Sequence, residues 1–224
     1  MATNSQLLSL MNNREQFYRF LSRIYKVEVD QALLDNMKKM TFPSQSKDEE
    51  LNQGYQMLSD YLQNCGEEAL EDLAVDYAKV FLGAGVYEVT AAFPFASVYT
   101  SKKKIVMQEA RDRAVAIYAS KGLAVDNESI DFPEDHIALL LEYMAFLCNE
   151  AINTLKQEQV DTEALQSQFK EQLSFLDENL LNWIPVFCKD IGKYAETLFY
   201  KGIGKITRGY LERDRSLLES LIKE

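Results

Sequence analysis

Histidine occurs once in this chain, cysteine three times, proline four times and glycine nine times, in 224 residues. Each scarcity excludes something. A transition-metal site needs His, Cys or carboxylate ligands clustered at fixed spacings. One histidine with Cys65, Cys148 and Cys188 scattered along the chain does not supply one, and no Glu-x-x-His pair occurs. An odd number of distant cysteines in apolar, helix-like context argues against a disulfide framework and for a reducing compartment. So few glycines and prolines exclude an all-β fold, which needs many tight turns. No run is apolar and long enough to span a bilayer, and the N-terminus lacks a basic region followed by an apolar core. No signal peptide is expected, and the location read from this is cytoplasmic.

Positive charge is also short, with 24 Lys and Arg against 35 Asp and Glu, a net charge of −11. That balance disfavours nucleic acid and favours cationic partners. A phosphate loop is missing too. Gly202-Ile203-Gly204-Lys205-Ile206-Thr207 lacks the four-residue spacer and the Lys-Ser/Thr junction, with no strand before it. It reads as a turn between helices. The charges around it, Lys201, Lys205, Arg208, Arg213 and Arg215 with Glu212 and Asp214, read as a solvated helix face.

What is present is helical periodicity. Apolar residues recur at helical spacing from about Ser5 to Lys26, and Asp30 caps a second helix running to Met40. Further helices are expected over Ser46–Cys65, Glu67–Leu82, Lys102–Gly122 (with Val106 on its apolar face) and from Asp161 or Thr162 onward. Another follows Trp183-Ile184-Pro185 to Tyr200, and a last one ends near Ile222. No segment alternates like a strand. The expected fold is all-α, one domain over residues 1–224, a bundle of roughly eight to ten helices around a buried central helix.

That central helix lies within Asp131–Asn149. Asp131 is placed to cap it, Pro133 to sit in its first turn, and Glu134 to complete the capping box. The run that follows is apolar on nearly every side, from Ile137 to Cys148, as in a helix buried all round. His136 sits beside Asp135 where this rod meets its N-terminal loop. Two roles are open to the pair. Asp135 can complement the helix N-terminus while His136 is held by a neighbouring backbone group. Alternatively the pair lines a groove and offers a carboxylate to a guanidinium. A catalytic triad is not expected, because no serine neighbours His136 and Cys148 lies about three turns further on.

The longest irregular stretch, Gly83–Ser101, is greasy: Val86, Tyr87, Phe93, Phe95, Val98, Tyr99. A loop of this composition either lies on the core or is kept for a partner.

Three blocks taken together resemble the TorD/DmsD/NarJ family of cytoplasmic chaperones for molybdenum reductases, nearest its TorD/DmsD branch. They are Asp76-Tyr77 with Phe81-Leu82-Gly83; Phe93-Pro94-Phe95-Ala96-Ser97-Val98-Tyr99; and Pro133-Glu134-Asp135-His136-Ile137 running into Glu142-Tyr143-Met144. Leu181-Asn182-Trp183-Ile184-Pro185 matches as well. The resemblance implies an all-helical, non-enzymatic protein without cofactor. Its partners would be the twin-arginine leader and the apo-form of a molybdopterin oxidoreductase, with export held back until the molybdenum cofactor is inserted. Nucleic acid and stable membrane insertion are not implied, and both a monomer and a helix-swapped dimer fit. Carried over by position, the peptide-binding residues are Phe93, Pro94, Phe95, Ser97, Tyr99, Pro133, Asp135 and His136. Where some relatives have Trp-Gly in the loop, this chain has Phe95-Ala96, which keeps the apolar face but loses the indole donor. Two other classes stay open at this point: a nucleotide-binding or weakly nucleotide-hydrolysing helical protein, and a non-catalytic dimeric scaffold.

Overall fold

A computed structural model of the chain describes residues 3–43, 48–85, 91–126 and 131–223. The fold is all-α, and no strand occurs among the described residues. Val86 and Tyr87, the expected helix start at Ser46 and most of the linker before Asp131 lie outside the described residues. By contacts the chain groups into two compact units.

The first unit comprises Met1–Lys26, Phe95–Trp183 and Arg213–Glu224. It holds α1 (Asn4–Lys26), α5 (Ala96–Thr100), α6 (Glu109–Ser120), α7 (Ile137–Leu155), α8 (Thr162–Phe175), a π-helical turn (Leu176–Leu181) and the last residues of α10 (Leu198–Lys223). The expected central helix is α7. Fourteen of its nineteen residues are buried, so it presents no solvated face of any width. α1 packs along it, and the Ser22 hydroxyl donates to the Ala138 carbonyl at 2.8 Å.

The start of α7 differs from expectation. Asp131 to Asp135 are not helical, and the cap is His136, whose Nδ1 accepts the Ala138 N–H at 3.1 Å. An imidazole with one nitrogen unprotonated can substitute for the usual Ser or Asp acceptor. Pro133 and Glu134 serve a turn instead of a first helical turn, with the His136 N–H donating to the Pro133 carbonyl at 3.0 Å.

Asp214 does not lie on a solvated face. Arg14 donates through Nε and Nη2 to its two carboxylate oxygens at 2.6 and 2.8 Å. The Tyr18 hydroxyl adds a third bond to Asp214, at 2.6 Å. Arg14 Nη1 reaches Gln172 Oε1 at 2.6 Å, and Gln172 Nε2 donates to the Leu147 carbonyl at 3.2 Å. With Arg14 at 3% and Asp214 at 2% exposure, this is a desolvated charge pair joining α1, α7, α8 and the end of α10.

The second unit comprises Val27–Pro94 and Ile184–Glu212. It holds α2 (Gln31–Lys38), α3 (Glu49–Asn64), α4 (Ala69–Leu82), α9 (Ile184–Tyr194) and most of α10. Asp30 caps α2 as expected, accepting from the Leu33 N–H. Gly83 closes α4 with φ +67°, the left-handed conformation that favours glycine at this position. Asp76 of α4 is buried and binds the segment leading into α10. It accepts from the Glu196 N–H (2.9 Å), the Thr197 N–H (2.8 Å) and the Thr197 hydroxyl (2.6 Å). Tyr77 and Phe81 pack beside it in an aromatic cluster with Tyr200, whose ring lies 5.4 Å from that of Phe81.

Gly202 and Gly204 do not separate two helices, since α10 runs through both. A Cβ at Gly202 would meet the Gly54 carbonyl at 2.8 Å, and one at Gly54 would meet the Ile206 backbone N at 2.9 Å. These glycines let the backbones of α3 and α10 touch. Gly202–Thr207 is therefore helix interior, neither turn nor phosphate loop.

Candidate functional site

The Phe95–Tyr99 segment and the Pro133–His136 segment, 38 residues apart from Ser97 to Asp135, meet in the first unit. They meet through backbone first. Phe95 and His136 form an isolated antiparallel bridge, and the Ala96 N–H donates to the Asp135 carbonyl at 3.1 Å. The Asp135 carboxylate then accepts the Ser97 N–H through Oδ2 at 2.7 Å. Asp135 thus holds the first turn of α5, not that of α7. It is 0% exposed, so it lies beneath the junction and not at an open mouth. Its other oxygen, Oδ1, is closed off from solvent and accepts no hydrogen bond from the described residues. An acceptor left idle in a buried site is energetically costly.

His136 is 4% exposed and sandwiched by rings. Phe132 lies 4.0 Å from it and tilted by 30°, and Phe95 lies 5.0 Å away, edge-on at 72°. Burial, with a smaller contribution from the Lys26 ammonium, pulls its pKa down to about 3. It is therefore a neutral ring at physiological pH, and with Nδ1 accepting from Ala138 the proton sits on Nε2.

Around this pair the junction is braced. The Tyr118 hydroxyl donates to the Glu134 carbonyl at 3.1 Å. Burial, reinforced by Asp135, pushes the Tyr118 phenol well above its usual range, so it stays a donor. Arg111 of α6 forks onto the Glu134 carboxylate through Nε (2.6 Å) and Nη2 (3.0 Å). Tyr99 stacks on Trp183 at 5.4 Å and 27°. Trp183 is positioned by the π-helical turn, donating from Nε1 to the Asn179 carbonyl at 2.9 Å.

Of the eight expected residues, the structure brings Phe95, Ser97, Pro133, Asp135 and His136 to one junction, with Tyr99 on the next turn of α5. Phe95, Tyr99 and Pro133 are half-buried. Phe93 and Pro94 belong to the second unit. Pro94 is buried there, and a Cβ on Gly83 would meet the Phe93 ring at 3.1 Å. Phe132, Glu134, Arg111 and Trp183 also pack at the junction, although none is among the eight expected residues. Glu134 stood within the quoted Pro-Glu-Asp-His block, a signal that could have found it, whereas Arg111 lies 23 residues away and carried no local sign. The cysteines stay outside this chemistry. Burial pushes the Cys148 thiol up to about 12 and the Cys188 thiol higher still, so both are inert packing groups.

The family described as nitrate reductase delta subunit matches residues 44–189. That span contains both halves of the junction. The chain belongs to the nitrate reductase delta subunit family. This is the TorD/NarJ grouping that the motifs resemble. Among curated relatives, the chaperone protein TorD of Vibrio cholerae is 28% identical over 228 residues, covering 98% of each chain. The chaperone protein TorD of Vibrio vulnificus is 26% identical, covering 95% of this chain and 98% of its own. The one from Shewanella pealeana is 27% identical, with 92% and 90% covered. The likeness therefore runs from end to end and is not confined to the junction.

Proposed function

We propose that this chain is a system-specific maturation chaperone for the catalytic subunit of a molybdopterin oxidoreductase, acting without catalysis of its own. In this reading residues 1–224 act in the cytoplasm as one chaperone domain. It binds the subunit's twin-arginine leader, and also its apo-form, until the cofactor is in place. Family membership and the chaperone names of the relatives support the general role. The observation that carries the leader reading is the junction itself. Half-buried side chains of Phe95, Phe132 and Pro133 meet there with the Glu134–Asp135 pair, Tyr99 follows on the next turn of α5, and Glu134 already holds a guanidinium.

A twin-arginine leader joins a cationic segment to an apolar one. The aromatic rim suits the apolar part through burial, and the Glu134 carboxylate suits an arginine through a charge-assisted fork. Glu134 is the carboxylate of the pair that is partly exposed, and Arg111 occupies it in the geometry that an incoming arginine would use. Asp135 keeps the rim in register by holding the Ser97 N–H from beneath it. His136, neutral and wedged between two rings, keeps the bed apolar. Phe93 and Pro94 enter this reading as the segment leading into the rim.

The test is calorimetric titration of a synthetic twin-arginine leader into the protein, beside a leader with both arginines changed to lysine. Saturable binding by the wild type is expected. Glu134→Gln and Asp135→Asn should each weaken it by roughly tenfold, the scale of one charged hydrogen bond. The lysine leader should be weaker as well, since an ammonium cannot fork. Arg111→Gln, which releases Glu134, should bind more tightly. Binding indifferent to all four changes would remove the junction from the site.

A further inference from the structure

Between α5 and α6, residues 101–108 form a strap that the sequence periodicity assigned to a helix. Lys102, Lys103, Lys104, Ile105, Val106 and Met107 are all exposed in succession. The apolar three stand at 51%, 40% and 56% exposure, unusual for side chains that ordinarily seek burial. None of the three lysines makes an ion pair among the described residues. The strap is also held in shape. Lys104 and Met107 sit at φ +52° and +61°, a left-handed conformation that residues with a Cβ adopt only at a cost. Hydrogen bonds clamp both ends: the Ser101 N–H to the Ser97 carbonyl (3.1 Å), the Lys104 N–H to Ser101 Oγ (3.1 Å), and the Gln108 N–H to Ser97 Oγ (3.1 Å). Gln108 Nε2 donates back to the Val106 and Met107 carbonyls at 3.0 and 2.9 Å. A strained, clamped loop that turns its cations and its apolar groups outward is built to present them.

We propose that the Lys102–Met107 strap docks the protein reversibly on an anionic lipid surface. Three features favour lipid over a protein partner. The cations are all lysine, compact and strongly hydrated point charges suited to a diffuse negative surface, whereas recognition of fixed carboxylates favours the arginine fork. Three apolar side chains are too little for a stable protein interface, yet with neighbouring cations they match the pattern of peripheral membrane attachment. The rest of the chain carries the acidic excess behind the net charge of −11, so repulsion elsewhere leaves the strap as the face that approaches. Charges beyond a Debye length are screened, and the strap's own contacts dominate on arrival.

The test is co-sedimentation of the full chain with vesicles of phosphatidylcholine alone and of phosphatidylcholine with phosphatidylglycerol. Binding to the anionic vesicles only, reduced at least fivefold by raising salt from 0.05 to 0.5 M, is the expected result. Lys102→Gln/Lys103→Gln/Lys104→Gln and Ile105→Ser/Val106→Ser/Met107→Ser should each reduce it by a similar factor while leaving the circular dichroism spectrum unchanged. No binding to anionic vesicles, or binding that both variants retain, overturns the proposal. Self-association that only the serine variant abolishes, without vesicle binding, overturns it in favour of a second copy as occupant.

Discussion

The most informative single residue is the one histidine. His136 combines three jobs at one position: it caps α7, bridges to Phe95 and fills the space between two rings. Its folded pKa of about 3 against 6.5 when unperturbed makes it a source of acid sensitivity. As pH falls below about 6.5 the unfolded chain takes up a proton that the folded chain refuses, so stability declines until about pH 3. From pH 7 to 5 this amounts to about 2 kcal/mol. Urea unfolding at the two pH values should show that loss in the wild type, and His136→Asn, which keeps a capping acceptor, should lack it. Arg14 and Asp214 set a second test. Arg14→Met leaves a buried carboxylate without its charge partner and should cost about 3–5 kcal/mol in denaturant unfolding, whereas Arg14→Met with Asp214→Leu should recover much of that. His136 was legible in the sequence because it is unique and adjoins an apolar helix. Asp214 was not, because its partner lies 200 residues away and its own neighbours are charged.

At the scale of elements, helix interiors were legible and their ends were not. The apolar run of α7 identifies itself, but its first turn was misassigned because Asp131, Pro133 and Glu134 form a good capping pattern in isolation. The tertiary bonds from Ala96 and Ser97 to Asp135 hold that stretch as turn instead. The Lys102–Met107 strap failed for a related reason: its composition fits a helix, yet Gln108 and Ser101 are pinned to Ser97. Glycine in α10 misled in the opposite direction. Its usual reading is a helix stop, but here it makes room for α3. Gly202→Ala therefore tests whether propensity or packing governs. Alanine should gain about 1 kcal/mol in an open helix. Against a carbonyl at 2.8 Å and a backbone N at 3.1 Å, a net loss of about 1–3 kcal/mol is expected, measured by thermal unfolding.

For the whole molecule, charge is the quantity that matters. A chain with net charge −11 attracts a cationic leader before any contact forms, so the proposed binding should be steered. In stopped-flow measurements the association rate for a twin-arginine leader should fall about tenfold or more between 0.05 and 0.5 M salt. Glu134→Gln should act mainly on dissociation, because it removes a contact and leaves most of the long-range field. The same negative charge makes the three strap lysines stand out, and both proposals follow from where positive and negative charge are concentrated. No helix among the described residues is long and apolar enough to cross a membrane, so lipid contact at the strap would be peripheral.

The amino-acid sequence alone determined the all-helical class, the buried rod and the family, because periodicity, scarcity of turn formers and short motifs are local properties of the chain. It also singled out Asp135 and His136. Only the tertiary structure decided which groups these residues meet. Asp135 faces Ser97, His136 caps α7, and Glu134 takes the Arg111 guanidinium. Each of those assignments depends on a partner brought from elsewhere in the chain. A hydrogen bond across 38 residues or an ion pair across 200 leaves no periodic trace along the sequence.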